Sequence, residues 1–298
     1  MNPDPIPNGF HHVGNCIRPP SEANAILLQA TLGCSHSRCT FCGAYGDKKF
    51  AIKEKKYLLG DLAFAKRYCQ HQDRVFVMDG DALVMPMKDW EWLLDQIHNT
   101  LPWVNRITCY ANLKSIMLKT DEQLSSLHKN GLKAVFLGLE SGHAQVRKDI
   151  RKGGTPEELI FHCQRLRKSG IRLVTIVLLG LGQKDLSLAH ARETGRALTA
   201  IDPEAVSALS LIPLPNTPLG QAFENGNFMI PDAKGMVSEL RELVRHTNLT
   251  RGAFRSVHAS NYLSIDARFP QDKKAVLQTL DQALAGKIGL KPEWMRGL

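Results

Sequence analysis

Three cysteines fall within nine residues of this 298-residue chain, in the run Gly33-Cys34-Ser35-His36-Ser37-Arg38-Cys39-Thr40-Phe41-Cys42. Three thiolates on one loop can each ligate an iron of a [4Fe–4S] cluster. A fourth cysteine would complete an electron-transfer cluster, and none is nearby. Three ligands leave one iron open, and an open coordination position marks a metal site that does chemistry. A structural zinc ion would want four ligands. His36 could supply the fourth, but Cys-x-His-x2-Cys-x2-Cys is cramped for one ion, so the cluster reading is favoured. Cys16, Cys69, Cys109 and Cys163 are scattered singly, and for them burial in the core is expected.

The segments that would hold this loop alternate between strand-like and helix-like runs. Apolar runs at 25–31, 74–78, 106–110, 134–139, 173–179 and 206–212 read as six strands. Helical spacing appears at 57–69, at 90–97 through Trp90, Leu93, Leu94 and Ile97, at 120–127 and at 186–198. Thr155-Pro156-Glu157-Glu158 is a helix start, with Thr as N-cap, Pro first in the helix and Glu three residues after the cap. Gly170 is the expected stop of that helix.

Such alternation predicts parallel βαβ units. Polar residues follow nearly every strand: Cys34, Asp79 and Asp81, Tyr110 and Asn112, Glu140 and Ser141, and the turn 180–183. That distribution suits the catalytic mouth of a barrel better than a single crevice. The expected fold class is α/β: a partial (β/α)6 TIM-like barrel over 25–212. An N-terminal extension, 1–24, precedes it. A C-terminal α-helical appendage, 213–298, packs on it, with helices at about 233–247 and 272–285.

Composition is ordinary for a globular chain, with 43% hydrophobic and 22% charged residues. The N-terminus lacks the basic and apolar regions of a signal peptide, and the longest apolar run, 173–181, is far short of the ~20 residues of a membrane span. No membrane association and a cytoplasmic location are expected. The net charge of +9 comes from groups at 48–56, 147–152 and 165–168. A solvated helix face explains the last group best. A nucleic-acid partner is compatible with the charge but otherwise unsupported, and an acidic protein partner competes with it.

The cysteine loop resembles that of the radical S-adenosylmethionine superfamily, whose usual spacing is C-x3-C-x2-C with an aromatic residue before the last cysteine. Phe41 supplies the aromatic; the departure is one extra residue, giving C-x4-C-x2-C. The resemblance extends over about 25–212. It implies that Cys34, Cys39 and Cys42 hold the cluster. Asp79-Gly80-Asp81 stands where the family has a turn for the amino group of S-adenosylmethionine, with Asp81 as the acceptor. Gly138-Leu139-Glu140-Ser141-Gly142 is similar to the segment contacting the ribose or carboxylate, with Arg147 or Lys152 pairing the carboxylate. Leu179-Gly180-Leu181-Gly182 is similar to the turn that meets adenine, and Tyr110 lies at another strand end of the same pocket. The implied chemistry is reductive cleavage of S-adenosylmethionine to a 5′-deoxyadenosyl radical, which removes hydrogen from a substrate. A flavodoxin or ferredoxin is the implied electron donor.

Beyond the barrel, Phe254-Arg255-Ser256-Val257-His258-Ala259-Ser260-Asn261-Tyr262-Leu263 gathers hydrogen-bonding side chains. His258, Asn261 and Tyr262 are candidates for substrate binding or proton transfer, with His258 and Tyr262 as the catalytic pair, His being the usual acid–base group near neutrality. A polar knot tying the appendage to the barrel is the equal alternative. Three functions compete: a radical enzyme on a small anionic substrate, an RNA-modifying version of it, and a non-catalytic haem carrier of the coproporphyrinogen dehydrogenase type. An electron-transfer protein is disfavoured by the missing fourth cysteine.

Overall fold

The computed structural model describes residues 9–46 and 48–297, so the first eight residues of the expected N-terminal extension lie outside the described residues. The elements run β1 (Ile26–Leu28), β2 (Thr31–Leu32), β3 (Ala51–Ile52), α1 (Lys55–Tyr68), β4 (Arg74–Val77), α2 (Met87–Thr100), β5 (Arg106–Ala111), α3 (Leu113–Met117), α4 (Asp121–Lys129) and β6 (Leu132–Glu140). They continue with α5 (Ala144–Asp149), α6 (Pro156–Lys168), β7 (Arg172–Leu179), α7 (Gln183–Ile201), β8 (Ala205–Ser210), α8 (Pro218–Glu224), α9 (Ala233–His246), β9 (Gly252–Arg255), β10 (Asp266–Phe269) and α10 (Lys273–Leu284). Eight strands form one sheet in the order β1-β4-β5-β6-β7-β8-β9-β10. The pairs β1–β4, β4–β5, β7–β8 and β8–β9 are parallel, and β10 runs antiparallel to β9. The class is α/β with a mostly parallel sheet, as expected.

The chain divides into two compact units: residues 1–37, 44–136 and 165–172, and residues 38–43, 137–164 and 173–298. In the first unit the helices are placed by their apolar stripes. Leu58, Leu62 and Ala65 of α1 are buried, as are Trp90, Leu93, Leu94 and Ile97 of α2. Spacing of three and four puts each set on one helical face, which packs against the sheet. The hairpin β2–β3, paired Thr31↔Ile52 and Leu32↔Ala51, brackets the first part of the cysteine loop.

In the second unit β7 and β8 show the strict alternation of a sheet with one sealed and one open face. Leu173, Thr175, Val177 and Leu179 are buried, and Val174, Ile176 and Leu178 are half-buried between them. Helix α6 starts as expected. Thr155 Oγ1 accepts the Glu158 N–H at 3.2 Å, and the Glu158 carboxylate accepts the Thr155 N–H at 2.8 Å. Gly170 follows in a left-handed conformation, φ +93°.

Three expectations need correction. The C-terminal part is not only helical: β9 and β10 extend the sheet past β8. These strands are four residues each, too short for a period-two pattern to show. Cys16 is half-exposed and not in the core, whereas Cys69, Cys109 and Cys163 are buried. Burial pushes the thiols of Cys69 and Cys109 up and that of Cys163 to about 12, so these three are inert packing residues. The basic groups are also less exposed than their clustering suggests. Lys48 and Lys53 are buried in ion pairs with Asp79 and Asp61, and half-buried Arg165 binds Asp121 at 2.7 Å. Among the described residues no helix is long and apolar enough to cross a membrane.

Candidate active site

In the first unit the turn after β4 organises the start of the cysteine loop. Asp79 is fully buried in a left-handed conformation, φ +68°, a geometry that costs a non-glycine residue about 1–3 kcal/mol. Its carboxylate offsets that strain by accepting several donors. The Gly33 N–H lies 2.8 Å away, Gln29 Nε2 3.0 Å and Lys48 Nζ 3.1 Å. The next N–H, that of Gly80, donates to the Gly33 carbonyl at 3.0 Å. Residue 80 must be small: a Cβ there would sit 2.7 Å from the Cβ of Cys34 and 2.8 Å from the Tyr45 ring.

Asp81 is equally buried, and both of its oxygens are engaged inside this unit. Ser35 Oγ donates at 2.5 Å and Asn112 Nδ2 at 2.7 Å to Oδ2, while the Asn112 N–H donates to Oδ1 at 3.1 Å. Burial pushes its carboxyl up, opposed by the Ser35 and Asn112 hydrogen bonds and by the charge of Lys119. Asp81, the expected acceptor for S-adenosylmethionine, here fixes Ser35, the residue after Cys34. Tyr110 is half-buried, edge-on to Phe76 and Phe136 at 5.0 and 6.1 Å, and burial raises its hydroxyl far above the usual range.

In the second unit the loop is held by its backbone. The Thr40 N–H donates to the Ile150 carbonyl at 3.0 Å, and the Thr40 carbonyl accepts the Leu219 N–H at 2.9 Å. Strand β6 ends on Glu140, another carboxylate in the left-handed region, φ +62°. Glu140 Oε1 meets Lys152 Nζ at 3.0 Å, and that ammonium lies 6.0 Å from the Phe41 ring centre. Two residues used by the sequence reading are engaged elsewhere. Arg147, expected at a ligand carboxylate, is buried and gives its guanidinium to the carbonyls of Leu139, Ser141, Gly153 and Gly154. Four of its five donors are thereby used to shape the turn carrying Glu140 and Lys152. Ser141 Oγ lies 2.8 Å from Nδ1 of buried His190 and accepts the His143 N–H at 3.0 Å.

Gly180, φ +90°, closes β7 with its N–H 2.7 Å from Glu239 Oε1. Glu239 comes from α9, accepts Ser187 Oγ at 2.5 Å, and lies 3.5 Å from His190 Nε2. His190 Nε2 also faces the Leu178 carbonyl at 3.2 Å, so this nitrogen carries the proton and Nδ1 accepts from Ser141. Burial pushes the Glu239 carboxyl up to about 7 and the His190 imidazole down to about 4, making both neutral in a slightly acidic medium.

The C-terminal segment forms the polar knot. Tyr262 is buried, its hydroxyl 2.5 Å from Glu293 Oε2 and 2.5 Å from Arg296 Nη1. Arg296 also donates to the Ser260 and Leu211 carbonyls, and Asn261 bonds Ser210 Oγ and the Ala208 carbonyl. These contacts tie 260–262 to the end of β8. His258 is half-buried, with Nδ1 2.9 Å from Ser260 Oγ. A proton-transfer role for Tyr262 therefore has an engaged hydroxyl against it.

None of Cys34, Cys39 and Cys42 is in a disulfide; the first two are half-buried and the third is exposed. Among the described residues no three His, Cys, Asp or Glu side chains converge as ligands of a single ion. Three thiols on one loop, none of them in a disulfide, are a donor set of the kind a cubane takes, one thiolate to each of three irons. A family model of the radical SAM superfamily matches residues 28–194, more than half of the chain and the whole cysteine loop.

The chain belongs to the radical SAM superfamily.

The enzymes of this superfamily use a [4Fe–4S] cluster and S-adenosylmethionine, as solved relatives with the cluster and with a S-adenosylmethionine analogue bound illustrate. A curated relative, the anaerobilin synthase of an Escherichia coli strain, is 25% identical over 209 residues, covering 65% of this chain and 45% of the relative. The chain thus spans less than half the length of that relative. The radical S-adenosylmethionine methyltransferase TsrM from Kitasatospora setae aligns with TM-score 0.53 at 18% identity, over 65% of this chain and 38% of its own. Coproporphyrinogen III oxidase from Escherichia coli aligns with TM-score 0.53 at 14% identity, over 75% and 53%. At these identities the two structures attest the fold of this radical SAM chain.

Proposed function

We propose that this radical SAM chain binds a [4Fe–4S] cluster through Cys34, Cys39 and Cys42 and cleaves S-adenosylmethionine reductively, to take hydrogen from a small anionic substrate. The observation carrying the reading is that these three thiols, none in a disulfide, lie inside the segment matched to the family. When bound, the cluster and S-adenosylmethionine supply an electron and a hydrogen-abstracting radical; the protein orients and shields them.

The chain's own residues divide that work. The 79–81 turn and Ser35 set the first cysteine; Thr40 sets the second half of the loop. The Lys152 ammonium, held by Glu140 beside Phe41, is the group offered to a carboxylate, a role the sequence shared between it and Arg147. The turn at Gly180, backed by Glu239, receives the adenine. The region 25–212 carries this chemistry and 213–298 supports it, through Glu239 and the 260–262 knot. An anionic substrate is supported by exposed Lys148 and Arg151 on the segment that carries Lys152. The same cations suit an acidic flavodoxin or ferredoxin as donor. Thiols outside disulfides and the lack of a membrane-crossing helix among the described residues support a cytoplasmic setting.

The test is spectroscopic. Reconstituted anaerobically and reduced, the protein gives a cluster signal in electron paramagnetic resonance that S-adenosylmethionine perturbs by occupying the open iron. A cluster signal indifferent to S-adenosylmethionine contradicts the proposal.

A tetrapyrrole ligand is the second reading, supported by the likeness to an anaerobilin synthase. It expects a coloured complex on adding haem. RNA modification loses support, because Lys48, Lys53 and Arg147 are buried and partnered, leaving less basic surface for phosphates.

A further inference from the structure

The buried ion pair Lys48–Asp79 has a purpose that packing alone does not explain. Both side chains are almost fully withdrawn from water, at 4% and 0% exposure. The pair touches the neighbours of Cys34 on several sides. Asp79 Oδ2 holds the N–H of Gly33, the residue before that cysteine. A Cβ on Gly33 would meet the Lys48 carbonyl at 3.1 Å and the Lys48 Cβ at 3.4 Å. Gly80, next to Asp79, lies against Cys34 itself and against Tyr45, whose ring faces Lys48 Nζ at 5.4 Å. Lys48 Nζ finally reaches the Asn15 carbonyl at 2.6 Å, closing a cage of one cation and one anion around the start of the loop.

We propose that Lys48 and Asp79 are positioning residues for Cys34 that also set the charge beside it: the ion pair holds the first cluster ligand in place while presenting no net charge to the iron it binds. The proposal rests on the reading that Cys34 is a cluster ligand. Its physical basis is short-range electrostatics in a dry site. A charge there acts through a low effective dielectric, and removing one member of a buried pair leaves the other uncompensated. Net charge near a cluster is one of the quantities that set its reduction potential. Since reduction adds an electron, a lone cation nearby favours the reduced cluster and a lone anion disfavours it.

The experiment uses the full chain, reconstituted anaerobically, with iron content and the cluster midpoint potential measured by a redox titration followed by electron paramagnetic resonance. Asp79→Asn strands Lys48 and is expected to raise the potential. Lys48→Met strands Asp79 and is expected to lower it, while Lys48→Arg keeps the charge and restores the wild-type value. Shifts of the same sign, or none, in variants that retain about four irons per chain overturn the proposal. If Asp79→Asn fails to fold, the Lys48 variants decide alone. Iron lost in Lys48→Met and recovered in Lys48→Arg supports the positioning role, and iron lost equally in both contradicts it. Cys34→Ala separates the two claims: a cluster with unchanged iron and potential in that variant removes the underlying reading instead.

Discussion

Glu140 Oε1 and Lys152 Nζ meet at 3.0 Å in space that exists only because residue 138 is glycine. A Cβ at 138 would lie 2.2 Å from that oxygen and 2.8 Å from that nitrogen. Both atoms are ends of flexible side chains, so Gly138→Ala can fold by pushing the pair apart. The variant should change in stability by no more than about 1 kcal/mol, keep its iron content and bind S-adenosylmethionine at least roughly tenfold more weakly. Isothermal titration of the reconstituted variant checks this. Wild-type affinity would show that the pair does not serve the ligand.

Arg147 makes the opposite prediction from the one its sequence position suggested. Arg147→Lys retains the positive charge yet cannot reach four carbonyls in a planar fork. Stability should drop by more than about 2 kcal/mol, because buried acceptors lose their donors. Urea unfolding of the protein measures this. A loss confined to ligand affinity, with stability intact, would return Arg147 to the role of a ligand contact.

The burial of Glu239 and His190 predicts a pH signature in stability. Glu239 is raised from 4.5 to about 7 in the fold, so its contribution is complete below about pH 4.5 and lost as pH rises to about 7. His190 is lowered from 6.5 to about 4, so its contribution is complete above about pH 6.5 and lost as pH falls to about 4. Each amounts to about 3 kcal/mol, and their slopes oppose one another between pH 4.5 and 6.5. Glu239→Gln keeps an oxygen to accept from Gly180, puts an amide donor where Ser187 Oγ found an acceptor, and removes one slope. Its stability should rise with pH up to about 6.5 and exceed that of the wild type near pH 8. Denaturation midpoints across this range check it; a profile parallel to the wild type would contradict the assignment.

What the sequence made legible was local. The α2 face follows from the spacing of Trp90, Leu93, Leu94 and Ile97, and the start of α6 from Thr155 and Glu158, because both patterns complete within two turns of helix. The cysteine loop is equally local. The residues missed are joined over long separations: Gly33 to Asp79 across 46 residues, Gly180 to Glu239 across 59. Nothing at either end of such a contact marks it. Asp79 and Asp81 look interchangeable in the run Asp79-Gly80-Asp81, and only the fold shows that one braces Gly33 and the other Ser35. The carbonyl contacts of Arg147 were illegible for a related reason: a guanidinium bound to backbone carbonyls has no sequence signature, whereas a cation near an expected anion invites a pairing. The segment at Tyr262 had two equal readings because its partners Glu293 and Arg296 lie some thirty residues on, at separations of 31 and 34.

The most direct measurement of the central claim is product formation. Anaerobically reconstituted protein, reduced with dithionite and given S-adenosylmethionine, is assayed for 5′-deoxyadenosine beside the Cys39→Ala variant. A radical enzyme with its cluster on this loop forms 5′-deoxyadenosine as the wild type and none as the variant. About four irons per chain with no 5′-deoxyadenosine, or zinc in place of iron, would contradict it.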